Sequence, residues 1–115
     1  MMRFAVLACL LLCAAAGHAD ETMEAEIDHL LAAVAASDCV FIRNGKEHTP
    51  EGARDHLEMK RRRGKRYYDN ADEFIERIAS KSSWSGKPYR IRCGDGETVL
   101  ASEWFSEALS IYRGE

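Results

Sequence analysis

Two of the four cysteines, Cys39 and Cys93, constrain the fold of this 115-residue chain more than any other feature. The other two, Cys9 and Cys13, lie in an apolar N-terminal segment that we expect to be removed. A disulfide between the remaining two would close a loop of about 55 residues. The loss of entropy in the unfolded chain would then stabilise the fold by roughly 4 kcal/mol. An even pair of cysteines in a small secreted domain most simply forms a disulfide. A redox-active or metal-binding thiol pair is the alternative, although the sequence has no CxxC motif.

The N-terminal segment has the organisation of a secretory signal peptide. Arg3 supplies a positive charge, residues 4–16 are uninterruptedly apolar, and Gly17 and Ala19 are small residues at the two positions that a signal peptidase inspects. A membrane anchor is the alternative, but a spanning helix needs roughly 20 apolar residues, more than the run provides. A lipid anchor is a further alternative, but Cys13 follows Leu12, where a small residue is expected, and Cys9 lies too near the start to leave an apolar core before it. The sequence therefore predicts cleavage after Ala19 and an extracytoplasmic protein that does not span the membrane.

The charge of the remaining 96 residues, 20–115, argues against general nucleic-acid binding. Without Arg3 the chain has 15 basic residues against 19 acidic ones, a balance of −4. The distribution is uneven, because residues 20–38 contain six acids and no lysine or arginine, whereas residues 60–66 contain six bases. A chain of this length is enough for one domain, and we predict a single secreted domain over residues 20–115.

Apolar periodicity predicts four helices in this domain. The first, over residues 23–37, has its apolar residues at i, i+3, i+4 and i+7, with acidic residues around its start. The second is capped by Thr49, has Pro50 at its first position and ends at Gly64. The third opens with an Asn70-x-x-Glu73 capping box, and the fourth is predicted to be capped by Ser102 and to end near Arg113.

Two short β-hairpins are predicted between the helices. Residues 39–43 are rich in β-formers and precede Asn44-Gly45, a pair that favours a tight hairpin turn. Residues 89–93 alternate in polarity and turn back through a second Gly-rich loop into residues 97–100. The predicted fold class is thus α+β, a small domain of about four helices with two hairpins, in which Cys39–Cys93 would join one hairpin to the other.

A basic run, followed by two tyrosines, is the most distinctive local motif of the domain. Arginine forks bind phosphate and carboxylate in two-pronged fashion, so this run, with two lysines of the later Ser-rich loop, predicts a site for an anion or an acidic partner. The alternative is a solvated helix end whose bases pair with the acidic first helix. The predicted binding residues are Lys60, Arg61, Arg62, Arg63, Lys65, Arg66, Lys81 and Lys87.

No catalytic or metal signature is present in the sequence. A hydrolase would have to combine His56 and Lys60, one helical turn apart, with Ser82, Ser83 or Ser85, none of which lies in a GxSxG motif. The histidines form no HxH or HExxH arrangement, so we expect no metal site and no cofactor. His56 fits a hydrogen-bonded packing residue. Trp84, in a Ser/Gly loop, is expected to cover the core, with stacking on a sugar or peptide as the alternative.

Three segments together resemble a known family. They are Phe41-Ile-Arg-Asn-Gly-Lys-Glu-His48, His56-Leu-Glu-Met-Lys60 and Ser80-Lys-Ser-Ser-Trp-Ser-Gly-Lys-Pro-Tyr89. The likeness covers most of the domain and is to the YfeK-like proteins, small periplasmic proteins of unknown function from Gram-negative bacteria. The resemblance implies a periplasmic location and one domain, and it brings no catalytic residues.

These observations favour a non-enzymatic periplasmic protein that binds or interacts in the cell envelope. Its partner would be an anionic lipid or an acidic envelope protein engaged through the basic run, and not nucleic acid. A hydrolase acting on envelope substrates and a small secreted inhibitor or immunity-type protein remain the alternatives. The inhibitor alternative rests only on the kind of domain, since small secreted domains with a disulfide often act as inhibitors or immunity proteins.

Overall fold

The computed structural model describes the backbone of residues 7–115 and the side chains of residues 19–115. The start of the predicted signal peptide, including Arg3, lies outside the described residues, and its predicted cleavage after Ala19 stays a prediction. Within the described part of the chain, none of the helices is both long and apolar enough to cross a membrane.

Four helices and a four-stranded antiparallel sheet form an α+β domain, as predicted. The helices are α1 (Leu7–Ala36), α2 (Pro50–Arg63), α3 (Ala71–Phe74, continued by a π-helical turn over Ile75–Ala79) and α4 (Ala101–Arg113), and a short 3-10 turn covers Lys65–Tyr67. The strands are β1 (Cys39–Arg43), β2 (Lys46–His48), β3 (Arg90–Cys93) and β4 (Thr98–Leu100). They are arranged in the order β2-β1-β3-β4.

The two predicted hairpins meet through β1 and β3 to make this one sheet. Cys39 lies directly opposite Cys93 in the β1–β3 register, and the two are joined by the predicted disulfide. The turn between β1 and β2 has positive φ at both Asn44 and Gly45, as an Asn-Gly hairpin turn requires. The disulfide therefore reinforces the β1–β3 pairing that joins the two hairpins.

The core lies between the helices and one face of the sheet. The predicted stripe of α1 is buried, and so are Phe41 and Ile91 from the central strands and Phe105 and Leu109 from α4. These residues form one cluster with the apolar faces of α2 and α3. Tyr112, near the end of α4, is half-exposed and stacks on His29.

Two predicted helix starts are wrong. Helix α1 extends well before the predicted start near Met23, back to Leu7, the first residue whose backbone is described, because the intervening residues include many strong helix formers. The acidic residues expected at its start therefore lie further along it, where Glu24 and Asp28 bind Arg61. Helix α4 begins at Ala101, so Ser102 does not cap it. The Ala101 amide donates instead to the Tyr89 carbonyl at 2.9 Å, which fixes this junction through the backbone.

The predicted caps of α2 and α3 are confirmed. Thr49 Oγ1 accepts a hydrogen bond from the Gly52 amide at 3.0 Å. Asn70 Oδ1 accepts from the Glu73 amide at 2.8 Å, and the Glu73 carboxylate accepts in return from the amide of Asp69. These caps set where each helix begins, and the start of α2 in turn determines which of its side chains face the cavity described next.

Candidate functional site: a cationic pocket

A cavity of about 560 Å³ lies between α2, the β1–β2 turn, the π-helical turn and the loop that leads into β3. Its lining includes four cationic side chains, and none of the described residues that line it is acidic. Arg77 is paired with Glu73 at 3.0 Å. The other three make no ion pair with any described residue, and they are Arg43, Lys60 and Arg63.

Lys60 is the centre of this charge. It follows Ala53 and Leu57 on the buried face of α2, so the helix carries its stem inward, and the residue is 7% exposed. Its Nζ donates to the Lys81 carbonyl at 2.8 Å and to the Tyr89 hydroxyl at 3.0 Å. Burial, followed by the charge of Arg43, lowers the pKa of Lys60 from 10.5 to about 8. Lys60 is thus a buried cation held by two neutral oxygens and by the face of the Tyr89 ring, 4.8 Å from its centroid, with no ion pair to a described residue.

His56 lies one helical turn before Lys60 and shares its tyrosine partner. His56 Nε2 is 3.2 Å from the Tyr89 hydroxyl oxygen. Because an ammonium group can only donate, the Tyr89 oxygen accepts from Lys60, and its own O–H is left to donate to a neutral His56. Burial, and then the charges of Arg43 and Lys60, lower the pKa of His56 to about 4. The hydrogen bond predicted for His56 is present, while its ring is only partly buried and lines the cavity.

The loop between Ser80 and Tyr89 is fixed by hydrogen bonds. The buried Ser82 hydroxyl accepts from the Trp84 and Ser85 amides, both at 3.2 Å. Ser85 Oγ donates to Asn44 Oδ1 at 2.5 Å, which ties the loop to the β1–β2 turn. Backbone bonds from Ser82 to Lys87 and from Tyr89 to Ser80 close the base of the loop.

Trp84 stands at the tip of this loop and is 92% exposed. The prediction that it covers the core is therefore wrong, because the side chain and backbone of Ser82 turn the chain outward before residue 84. Trp84 lines the cavity together with Tyr67, which is 51% exposed, and with the buried Tyr89. Trp84 and Tyr67 thus form an aromatic rim beside the cations of the lining, of which Lys60 is buried and Arg63 exposed.

The structure divides the predicted basic site among several surfaces. Lys60 and Arg63 line the cavity. Arg61 instead binds Glu24 and Asp28 of α1, as the alternative interpretation held. The remaining predicted residues are exposed and line no part of the cavity, and they are Arg62, Lys65, Arg66, Lys81 and Lys87.

Three contributors to the cavity were missed by the sequence analysis. Arg43 and Arg77 come from a strand end and from the π-helical turn, far from the basic run in sequence. Tyr89 was assigned only to a strand. A useful signal was the position of Arg43 directly before the Asn44-Gly45 turn, since residues beside a tight turn lie at a sheet end where pockets form.

The arrangement expected of a hydrolase is not found among the described residues. Ser82 and Ser83 line the same cavity as His56 and Lys60, but no hydrogen bond joins a serine hydroxyl to either base. The Ser82 oxygen is occupied by backbone amides, so it lacks the contact that activates a nucleophile. In the described part of the chain, no three His, Cys, Asp or Glu residues are grouped as a metal site requires.

Comparison with known proteins identifies the family. Residues 21–113 match a family of unknown function, DUF5329. The chain belongs to the DUF5329 family. It is 41% identical over 86 residues to the uncharacterized protein YfeK of Salmonella typhimurium strain LT2, covering 74% of this chain and 72% of that protein. The YfeK resemblance seen in the sequence is thereby confirmed. No solved structure matches this DUF5329 chain.

Proposed function

We propose that this DUF5329 protein is a non-enzymatic binding protein of the cell envelope that takes an anionic ligand in the cationic pocket. One observation carries the proposal: Arg43, Lys60 and Arg63 line one cavity without an acidic neighbour in its lining. A concave surface with charges of one sign focuses the electrostatic potential and attracts ligands of the opposite sign.

Lys60 strengthens this argument because its burial is energetically unfavourable. Removing an ammonium group from water costs free energy unless an opposite charge compensates for it. Here the protein supplies a carbonyl and a hydroxyl oxygen as hydrogen-bond acceptors. The lowered pKa of Lys60 means that its charged form is still less stable than it would be in water. A carboxylate or phosphate group in the pocket would supply the missing negative charge, and Arg63 offers the planar fork that such groups prefer.

The envelope location rests on the predicted signal peptide at residues 1–19 and on the resemblance to periplasmic proteins. The Cys39–Cys93 disulfide is compatible with that location, since disulfides persist in oxidising compartments. In this setting the ligand would belong to the envelope rather than to the cytoplasm, and residues 20–115 would act as one exported domain.

A second candidate function is contact with an anionic lipid surface or an acidic envelope protein. It is favoured by the exposure of Arg62, at the end of α2, and of Lys65 and Arg66, in the 3-10 turn that follows. These three side chains lie outside the cavity, so the two candidates are separable by substitution.

Thermal unfolding in a series of anions tests the proposal. At constant ionic strength, we expect phosphate and acetate to raise the unfolding temperature of the wild type relative to chloride, because ligand that binds only the native state stabilises it. Arg63→Gln should remove this rise, and the adjacent Arg62→Gln should retain it. Loss of the effect in Arg62→Gln alone would favour the exposed surface, and no anion effect in any variant would reject the pocket as an anion site.

A further inference from the structure

The aromatic rim of the pocket points to a more specific ligand, an inference that rests on the proposed function. We propose that the pocket binds an acidic saccharide, that is, a sugar ring carrying a carboxylate or phosphate group. The ring would stack on Trp84, and the acidic group would reach Lys60 and Arg63. The exposed indole, its rigid loop and the charge of the interior each support one part of this assignment.

Trp84 is held in position rather than carried on a loose segment. Its amide is bonded to Ser82 Oγ at 3.2 Å, and the same oxygen also receives the Ser85 amide. Asn44 anchors the loop from the opposite side through Ser85 Oγ. The loop backbone therefore carries the Trp84 side chain from a fixed position, so that binding has to order only the side chain itself.

The exposure of this indole has no structural benefit within the chain. Tryptophan carries a large apolar surface, and 92% exposure leaves it in water. Exposed tryptophans beside a pocket are characteristic of binding sites, where the ring becomes buried on contact. The flat C–H face of a pyranose ring complements an indole face in this way, and Tyr67 offers a second aromatic surface on the same cavity.

The polar groups of the pocket fit sugar hydroxyls better than an acyl chain. The Ser83 hydroxyl and the His56 imidazole are neutral polar groups of the lining, while Met59 and Ile78 are its aliphatic side chains. The volume of about 560 Å³ lies within the range of roughly 300–1,000 Å³ typical of small-molecule pockets. One or two sugar rings would fit, and the cations at the interior would select an acidic one.

Calorimetric titration with five probes tests the assignment: glucuronate, glucose 6-phosphate, glucose, inorganic phosphate and phenyl phosphate. We expect at least one of the two acidic sugars to bind at least tenfold more tightly than both glucose and inorganic phosphate. Trp84→Ala should weaken acidic-sugar binding about tenfold without changing phosphate binding, and Trp84→Phe should restore most of the loss. Arg63→Gln should weaken both the acidic sugars and phosphate.

The outcomes separate this inference from the proposed function. Equal binding of phosphate and both acidic sugars, with no effect of Trp84→Ala, would overturn the saccharide assignment and leave an anion site. Tighter binding of phenyl phosphate than of either acidic sugar would also overturn it, in favour of an aryl anion. Failure of every anionic probe to bind would reject the proposed function itself. Circular dichroism of each variant checks that the fold is retained, as expected for a side chain as exposed as Trp84.

Discussion

Replacing Lys60 with methionine should leave the protein at least as stable as the wild type, although the residue is buried. The fall in the pKa of Lys60 from 10.5 to about 8 corresponds to at most about 3.5 kcal/mol of unfavourable free energy while the amine is charged. We reduce this to about 1.5 kcal/mol because the cavity opens to solvent, which screens the charge. Lys60→Met removes that cost and leaves the Lys81 carbonyl unpaired, a loss of about 1 kcal/mol.

The expected net change at pH 7 is therefore between no effect and a gain of about 1 kcal/mol, measured by urea unfolding. The exposed Lys65→Met provides the matched control, with a change within about 0.5 kcal/mol. Because the folded pKa of Lys60 lies below the unfolded value, the unfolded chain binds more protons above pH 8. Wild-type stability should thus gain about 1 kcal/mol relative to Lys60→Met between pH 8 and 10. Destabilisation by more than about 2 kcal/mol at pH 7 would refute the reasoning.

Three further predictions concern the supports of the pocket. Substituting serine for Cys39 and Cys93 should lower the free energy of unfolding by about 2–4 kcal/mol, measured in urea titrations. Reduction of the disulfide in the wild type should lower it by the same amount. Arg61→Ala should cost about 1 kcal/mol through loss of its two ion pairs with α1, whereas equal thermal shifts in Arg61→Ala and Arg62→Ala would contradict this. Because the folded pKa of His56, about 4, lies below 6.5, its contribution to stability is present above pH 6.5 and is lost as the pH falls toward 4. Because His56 is partly exposed, we reduce the expected effect: the loss in free energy of unfolding between pH 6.5 and 4 should be about 1–2 kcal/mol smaller in His56→Gln than in the wild type. An equal loss in the two proteins would contradict this.

The fold was largely predictable because its signals are local. Thr49, Asn70 and the Asn44-Gly45 turn act within a few residues, and each appears where the sequence places it. The pairing of Cys39 with Cys93 followed from counting cysteines. The prediction that Ser102 caps α4 was wrong because a tertiary contact sets the start of this helix. That contact is the hydrogen bond from the Ala101 amide to the Tyr89 carbonyl, which no local sequence pattern reveals.

The site was only partly predictable because it depends on which way neighbouring side chains face. Lys60, Arg61 and Arg62 are consecutive, yet one enters the pocket, one binds α1 and one faces solvent. A run of bases indicates positive charge, but it does not show which side of the helix each base faces, because consecutive residues point in different directions around a helix with 3.6 residues per turn. Trp84 was placed wrongly for a related reason, since its exposure is imposed by the hydroxyl of Ser82.

Mapping anion binding by two-dimensional amide NMR tests the central claim most directly. Titration of the wild type with glucuronate or inorganic phosphate should shift the amides around the cavity, in residues 43–44, 56–64 and 82–89. Lys60→Met should abolish these shifts while retaining a folded spectrum. Shifts confined to Lys65 and Arg66, or a map that is unchanged by Lys60→Met, would contradict the claim that the cationic pocket is the binding site.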